Sequence, residues 1–153
     1  MTKLFLSLHV LAVIVGIGPV TVAASMFPKA VRRAHSDPGG REPLTTLRML
    51  HRICRVYAAV GIAVPVFGFA TASSLGVLGS GWLIASILLT TAAAAILALL
   101  ILPAQDAALA AAQAPGSSSR SPGRLAVLTG IFNPLWATVT VLMIIRPGST
   151  TGV

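Results

Sequence analysis

Acidic residues are nearly missing from this sequence: three Asp and Glu stand against eleven Lys and Arg in 153 residues, and charged residues of both signs reach only 9%. Soluble domains carry about 25% charged residues, so an ordinary soluble globule is excluded. The three carboxylates, Asp37, Glu42 and Asp106, lie outside the long apolar runs, which leaves proton-coupled transport without an intramembrane carboxylate. Cysteine is down to one residue, Cys54, so neither an internal disulfide nor a C-x-x-C metal site is available. No Ser-His-Asp set in a recognisable context, H-E-x-x-H, G-x-S-x-G or glycine-rich nucleotide loop occurs, and hydrolytic and nucleotide chemistry lose their usual signatures. The formal net charge of +8 comes without a basic-aromatic platform, so nucleic acid is set aside as a partner.

What is present is apolar sequence, 56% hydrophobic with a mean hydropathy of +0.91. It falls into four runs, 4–27, 56–78, 82–102 and 125–145, none of which contains Asp, Glu, Lys or Arg. At about 1.5 Å per residue each crosses a hydrocarbon layer of about 30 Å. Backbone amides inside lipid must be satisfied within the segment, so each run is expected to be helical. The fold class is therefore an all-α integral membrane protein, one domain over residues 1–153, with an antiparallel bundle of four transmembrane helices. Between the runs lie a loop at 28–55, a tight hairpin at 79–81, and a link at 103–124.

Positive residues resist translocation and so report orientation. Lys29, Arg32, Arg33, Arg41, Arg48, Arg52, Arg55, Arg120 and Arg124 fall on one side, and only Lys3 and Arg146 on the other. Both termini are expected outside, with the 28–55 loop in the cytoplasm. A competing reading takes residues 1–24 as a cleaved signal peptide ending at Val22-Ala23-Ala24, but the apolar run is longer than a signal core of about 7–15 residues. Within the loop, 44–55 reads as an amphipathic lead-in with Thr45 or Thr46 as its cap. Arg48, Arg52 and Arg55 share one face, with His51 beside them, and Leu47, Leu50, Ile53 and Cys54 share another. The basic face is expected to meet anionic lipid headgroups, or else a specific anionic partner.

Among strongly ionisable residues only His9 lies inside a run. An ionisable residue at depth is a functional candidate, with three readings: a hydrogen bond between helices, a cofactor contact, or a proton relay. At ~1.5 Å per residue His9 is ~8 Å below the outer boundary, and the matching depths fall near Thr71, Ser86 and Thr140. A polar layer with one member per helix is expected, able to hydrogen-bond but poor as a metal cage, so no metal site is expected. Deeper, Gly18 and Pro19 interrupt the first run with Gly16, Pro65 the second, and Asn133-Pro134 the fourth. Prolines free a carbonyl, and Asn133 is the expected partner for one. The breaks fit close packing of bent helices, or else a kinked cavity or translocation path.

Ser7-Leu8-His9-Val10-Leu11-Ala12, through Gly16-x-Gly18-Pro19 to Met26-Phe27-Pro28-Lys29, resembles the first helix of small bacterial four-helix membrane proteins of the CopD-like group. That group includes uncharacterised integral membrane families and the four-helix protoporphyrinogen oxidase of bacteria. Arg55-Val56-Tyr57 to Pro65-x-x-Gly68 is similarly reminiscent of its second helix, and together the two stretches cover about half the chain. The resemblance implies a haem ligand at His9. The lysine that those relatives use in the third helix has no counterpart between Trp82 and Leu102. The leading expectation is thus a non-enzymatic component of the bacterial plasma membrane, structural or accessory, without a cofactor. Its partners would be the bilayer and, through its packing faces, further copies or other membrane subunits. The alternatives are a haem-binding or redox protein with His9 as ligand and, more weakly, a transporter of a small solute.

Overall fold

The structure is a computed structural model and describes residues 2–37, 40–114 and 122–148. These form an all-α four-helix bundle, and four of its helices are long and apolar enough to cross a membrane: Thr2–Ser36, Arg41–Leu75, Gly81–Gln113 and Gly123–Ile145. The first is α1, Thr2–Ser36; the second joins α2, Arg41–Val60, to α3, Ala63–Leu75. The third runs from α4, Gly81–Ala95, through a wide π-helical turn, Ile96–Ile101, into α5, Leu102–Gln113, and α6, Pro122–Ile145, is the fourth. α1 touches α2, α3, α5 and α6, and so forms the spine of the bundle. Large apolar side chains such as Ile14, Leu88 and Leu99 stay exposed on the outside, as expected where lipid tails replace water.

Prolines explain where the helices depart from the sequence expectation. Residues 28–36 are helical rather than loop, although Pro28 removes an amide from α1. The carbonyl it frees is that of Ala24, and the Thr129 hydroxyl of α6 lies 3.5 Å from that oxygen. Pro65 acts differently. The second helix breaks at Gly61-Ile62, four residues earlier, where a proline ring crowds the preceding turn. The Gly61 carbonyl takes the Val64 amide at 3.1 Å instead. Pro103 does not end the third helix at 102. The π-helical turn just before it absorbs the missing bond, and helix continues to Gln113 through what reads as a link. Gly76, left-handed at φ 68°, caps the second helix after Leu75, three residues short of the expected end at 78.

The amphipathic segment begins at Arg41, ahead of the expected 44, and runs on into the second helix. Thr45 and Thr46 do not cap it; their hydroxyls donate to the carbonyls of Arg41 and Glu42 one turn back. Its apolar face, Leu47, Leu50 and Cys54, is buried against Phe27 and Val31 of α1 and Ala108 of α5. That cluster is the largest of the core. A middle layer joins Val20, Ala93, Leu97, Ile101 and Phe132, and at the opposite end only Ala72, Trp82 and Leu83 remain. Packing therefore thins from the basic end toward the end where Thr2, Leu75, Gly81 and Ile145 meet. α1, with 35 residues, is about 52 Å long at ~1.5 Å per residue, so its basic end projects beyond a ~30 Å hydrocarbon core.

Candidate functional site

At the thinly packed end the four helices part around a cavity of about 630 Å³. His9 and Val10 of α1, Gly68 and Thr71 of α3, Trp82 of α4 and Trp136 of α6 line it. The volume sits in the ordinary range for a small-molecule site, about 300–1,000 Å³. Its polar groups are few. His9 is 8% exposed, and its Nδ1 lies 2.9 Å from the Val64 carbonyl oxygen. A carbonyl only accepts, so Nδ1 carries the hydrogen and the lone pair of the neutral ring is on Nε2. A Cβ at Gly68 would come within 2.9 Å of His9 Cε1, so a bare glycine is what lets the imidazole lie against the second helix.

The expected polar layer is only partly assembled. His9, Thr71 and Thr140 line the same cavity, and Ser86 does not. No hydroxyl of the set reaches His9. Thr71 donates to Phe67 O at 2.8 Å, Ser86 to Trp82 O at 2.8 Å and Thr140 to Trp136 O at 2.9 Å, each one turn back in its own helix. Thr140 is exposed besides. In an apolar setting the nearest acceptor is the helix's own carbonyl, and it wins over a partner across the bundle.

The mouth carries a cation. Arg146 follows the last turn of α6 in a left-handed conformation, φ 46°, and its Nε donates to Met143 O at 3.4 Å. Its guanidinium carbon lies 5.8 Å from the centre of the Trp82 ring, within cation–π range. Trp82 is 8% exposed, and neither its Nε1 nor that of Trp136 has a hydrogen-bond partner among the described residues. Beside them α4 begins. Ser80 at its N-cap makes no side-chain cap and donates instead to Val77 O at 2.7 Å. No local pattern announces this group, because Arg146 and Trp82 are brought together only by closure of the bundle.

A second polar cluster lies at the basic end. His51 of α2 is buried, not on the arginine face; its Nε2 is 3.0 Å from Asp106 Oδ1 and its Nδ1 is 3.3 Å from Gln105 Oε1. Gln105 is fully buried, and its amide nitrogen donates to Cys54 Sγ at 3.5 Å. Which amide face meets His51 is an assignment by geometry, but all four residues join α2 to α5 in either case. Sequence reasoning missed this cluster because it took Pro103 as a helix end. On an unbroken helix, Gln105 follows the buried Ile101 by four residues and falls on the same face.

The remaining predicted positions are scattered. Arg48, Arg52 and Arg55 are exposed along α2 as their spacing requires. α1 and α6 run through Pro19 and Pro134 as continuous helices. Gly18 meets nothing, whereas a Cβ at Gly16 would lie 3.2 Å from Gly61 Cα, so Gly16 marks the tight crossing. Asn133 does not serve the proline-freed carbonyl: its Nδ2 donates to Ser25 Oγ of α1 at 3.1 Å, and its Oδ1 is buried without a partner. No group of three or more metal-ligating side chains occurs among the described residues. Comparison with family models, with curated proteins and with solved structures finds no match, so the functional reading rests on the chain's own residues.

Proposed function

We propose that this is a non-enzymatic multi-pass protein of the bacterial plasma membrane, an accessory component that receives a small apolar molecule from the outer half of the bilayer. The cavity of about 630 Å³ among the four helices carries this reading, since it combines apolar walls with a few convergent polar groups. In neutral-lipid nanodiscs, an alkane with a brominated end should quench the tryptophans saturably, because both tryptophans of the chain line the cavity. Val10→Phe, which places bulk on the lining, should reduce that quenching at least severalfold. Quenching that grows linearly with the bromide content of the lipid, equal in both proteins, would remove the receptacle.

The orientation belongs to the same proposal: both termini outside, with Arg48, Arg52 and Arg55 toward anionic headgroups of the inner leaflet. The excess of Lys and Arg at one end of the bundle supports it. Single cysteines at the exposed positions Ser36 and Gly79 should react with an impermeant maleimide only at Gly79 in intact cells. The reverse pattern overturns the orientation.

One observation favours the second reading, a haem-binding or redox protein. With Nδ1–H held by the Val64 carbonyl, His9 presents Nε2 in the way a metal-ligating histidine is commonly fixed. Met143 lines the same cavity and is a second haem-compatible donor type, so the residues fit the group. Bound haem would supply one-electron chemistry. A Soret band in the purified protein that disappears in His9→Gln would select this reading, and a parent protein without one would dismiss it.

A further inference from the structure

Four observations meet at the mouth of the cavity. Arg146 lies over Trp82 with its Nε tied to a backbone carbonyl, and it pairs with no carboxylate among the described residues. The Trp82 indole N–H is enclosed and meets no acceptor among the described residues. The N-terminus of α4, one residue away, has no side-chain cap, because the Ser80 hydroxyl is turned to Val77. No Asp or Glu lines the cavity. An uncapped helix start carries partial positive charge and free amides, and the guanidinium adds a full charge with two-pronged donor geometry. Among the described residues the only charged side chain at the mouth is thus a cation, with the start of a helix beside it. Behind it the walls are apolar over Leu6 to Ile14 of α1, about 12 Å at ~1.5 Å per residue.

We propose that the cavity takes a single-chain amphiphile with an anionic head, the carboxylate or phosphate resting on Arg146 and the start of α4 and the chain lying in the apolar cleft toward His9. This rests on the receptacle reading above and gives it a ligand class. An anionic head meets two groups at once: the guanidinium and the free amides at the start of α4. A neutral head of the same length leaves the cation unpaired. Two donors of different kinds, the backbone amides of a helix start and a guanidinium, also favour a head with at least two acceptor oxygens.

The test uses the full chain in nanodiscs of neutral phosphatidylcholine and reads tryptophan emission, since Trp82 and Trp136 are the only two tryptophans and both line the site. Laurate, dodecyl phosphate, methyl laurate and inorganic phosphate are titrated separately. The two anionic amphiphiles should shift the emission saturably, and methyl laurate should need about tenfold more, as for loss of one charge-assisted hydrogen bond. Arg146→Gln should weaken laurate about tenfold and leave methyl laurate unchanged, while Arg146→Lys keeps most of the affinity. Laurate and methyl laurate titrating alike, or Arg146→Gln binding laurate like the parent, would overturn the anionic head while the receptacle stands. Inorganic phosphate displacing laurate at equal concentration would overturn the role of the chain. If none of the three amphiphiles shifts the emission saturably, the receptacle falls with the proposal. The ester comparison needs no variant and holds even if Arg146→Gln fails to fold.

Discussion

Gly16→Leu is expected to lower the stability of the purified protein by about 1–3 kcal/mol, the usual range for overpacking, and to show it as an earlier thermal transition in detergent. Gly16 is buried, and its added side chain would begin 3.2 Å from the Gly61 backbone, at the point where the second helix is already broken. Backbone cannot rotate aside as the end of a long side chain can, so α1 and the second helix must separate. Gly18→Leu is the control. It lies two residues along the same helix, exposed and with nothing within 4 Å of its Cβ position, and should stay within about 0.5 kcal/mol of the parent. Equal transitions for the two variants would show that the Gly16 crossing is not close-packed.

The second large effect lies at the basic end, where His51→Leu should cost about 1–3 kcal/mol by stranding the buried Gln105 amide. Gln105 is fully buried and would keep its long contact to Cys54, 3.5 Å, while the exposed Asp106 would lose its 3.0 Å contact with His51 Nε2. The asymmetry of hydrogen-bond deletion supplies a sharper test: replacing both buried partners with apolar groups costs less than stranding one. His51→Leu combined with Gln105→Leu should therefore melt above His51→Leu alone. A double variant that melts at the sum of two separate losses would mean that the pair is not coupled.

The class of fold was legible because a hydrophobic run of about 20 residues leaves the backbone no alternative to helix inside lipid. Helix ends were less so, since they depend on what each proline finds around it. Pro28 meets Thr129 from another helix, Pro103 is absorbed by a wide turn, and Pro65 breaks its helix at Gly61, where a glycine yields most easily. Sequence spacing placed His9, Thr71 and Thr140 around one cavity, because depth along a helix follows from residue count. It did not place their hydrogen bonds, which went to carbonyls within each helix. His51 with Gln105, and Arg146 with Trp82, are separated by more than fifty residues in each case, and no local pattern links them.

The cations at the basic end also set a depth. Lys29, Arg55 and Arg124 are all exposed, and each stands one or two residues beyond the end of an apolar run on a different helix. Lys29 and Arg124 each lie five residues beyond Ala24 and Thr129, which meet across the bundle, whereas Arg55 lies only six residues past Gly61, the partner of Gly16, and so stands about 10 Å nearer the middle at ~1.5 Å per residue. Sinking any one of these charges to the middle of a bilayer would cost about 2.5–3.5 kcal/mol on insertion scales. Staggered in this way, the three charges would oppose movement of the basic end into hydrocarbon in two steps, Arg55 first and Lys29 with Arg124 after it. α1 runs as one helix from Lys29 back to the end of the bundle where Arg146 lies, so the same charges bear on the depth of that mouth.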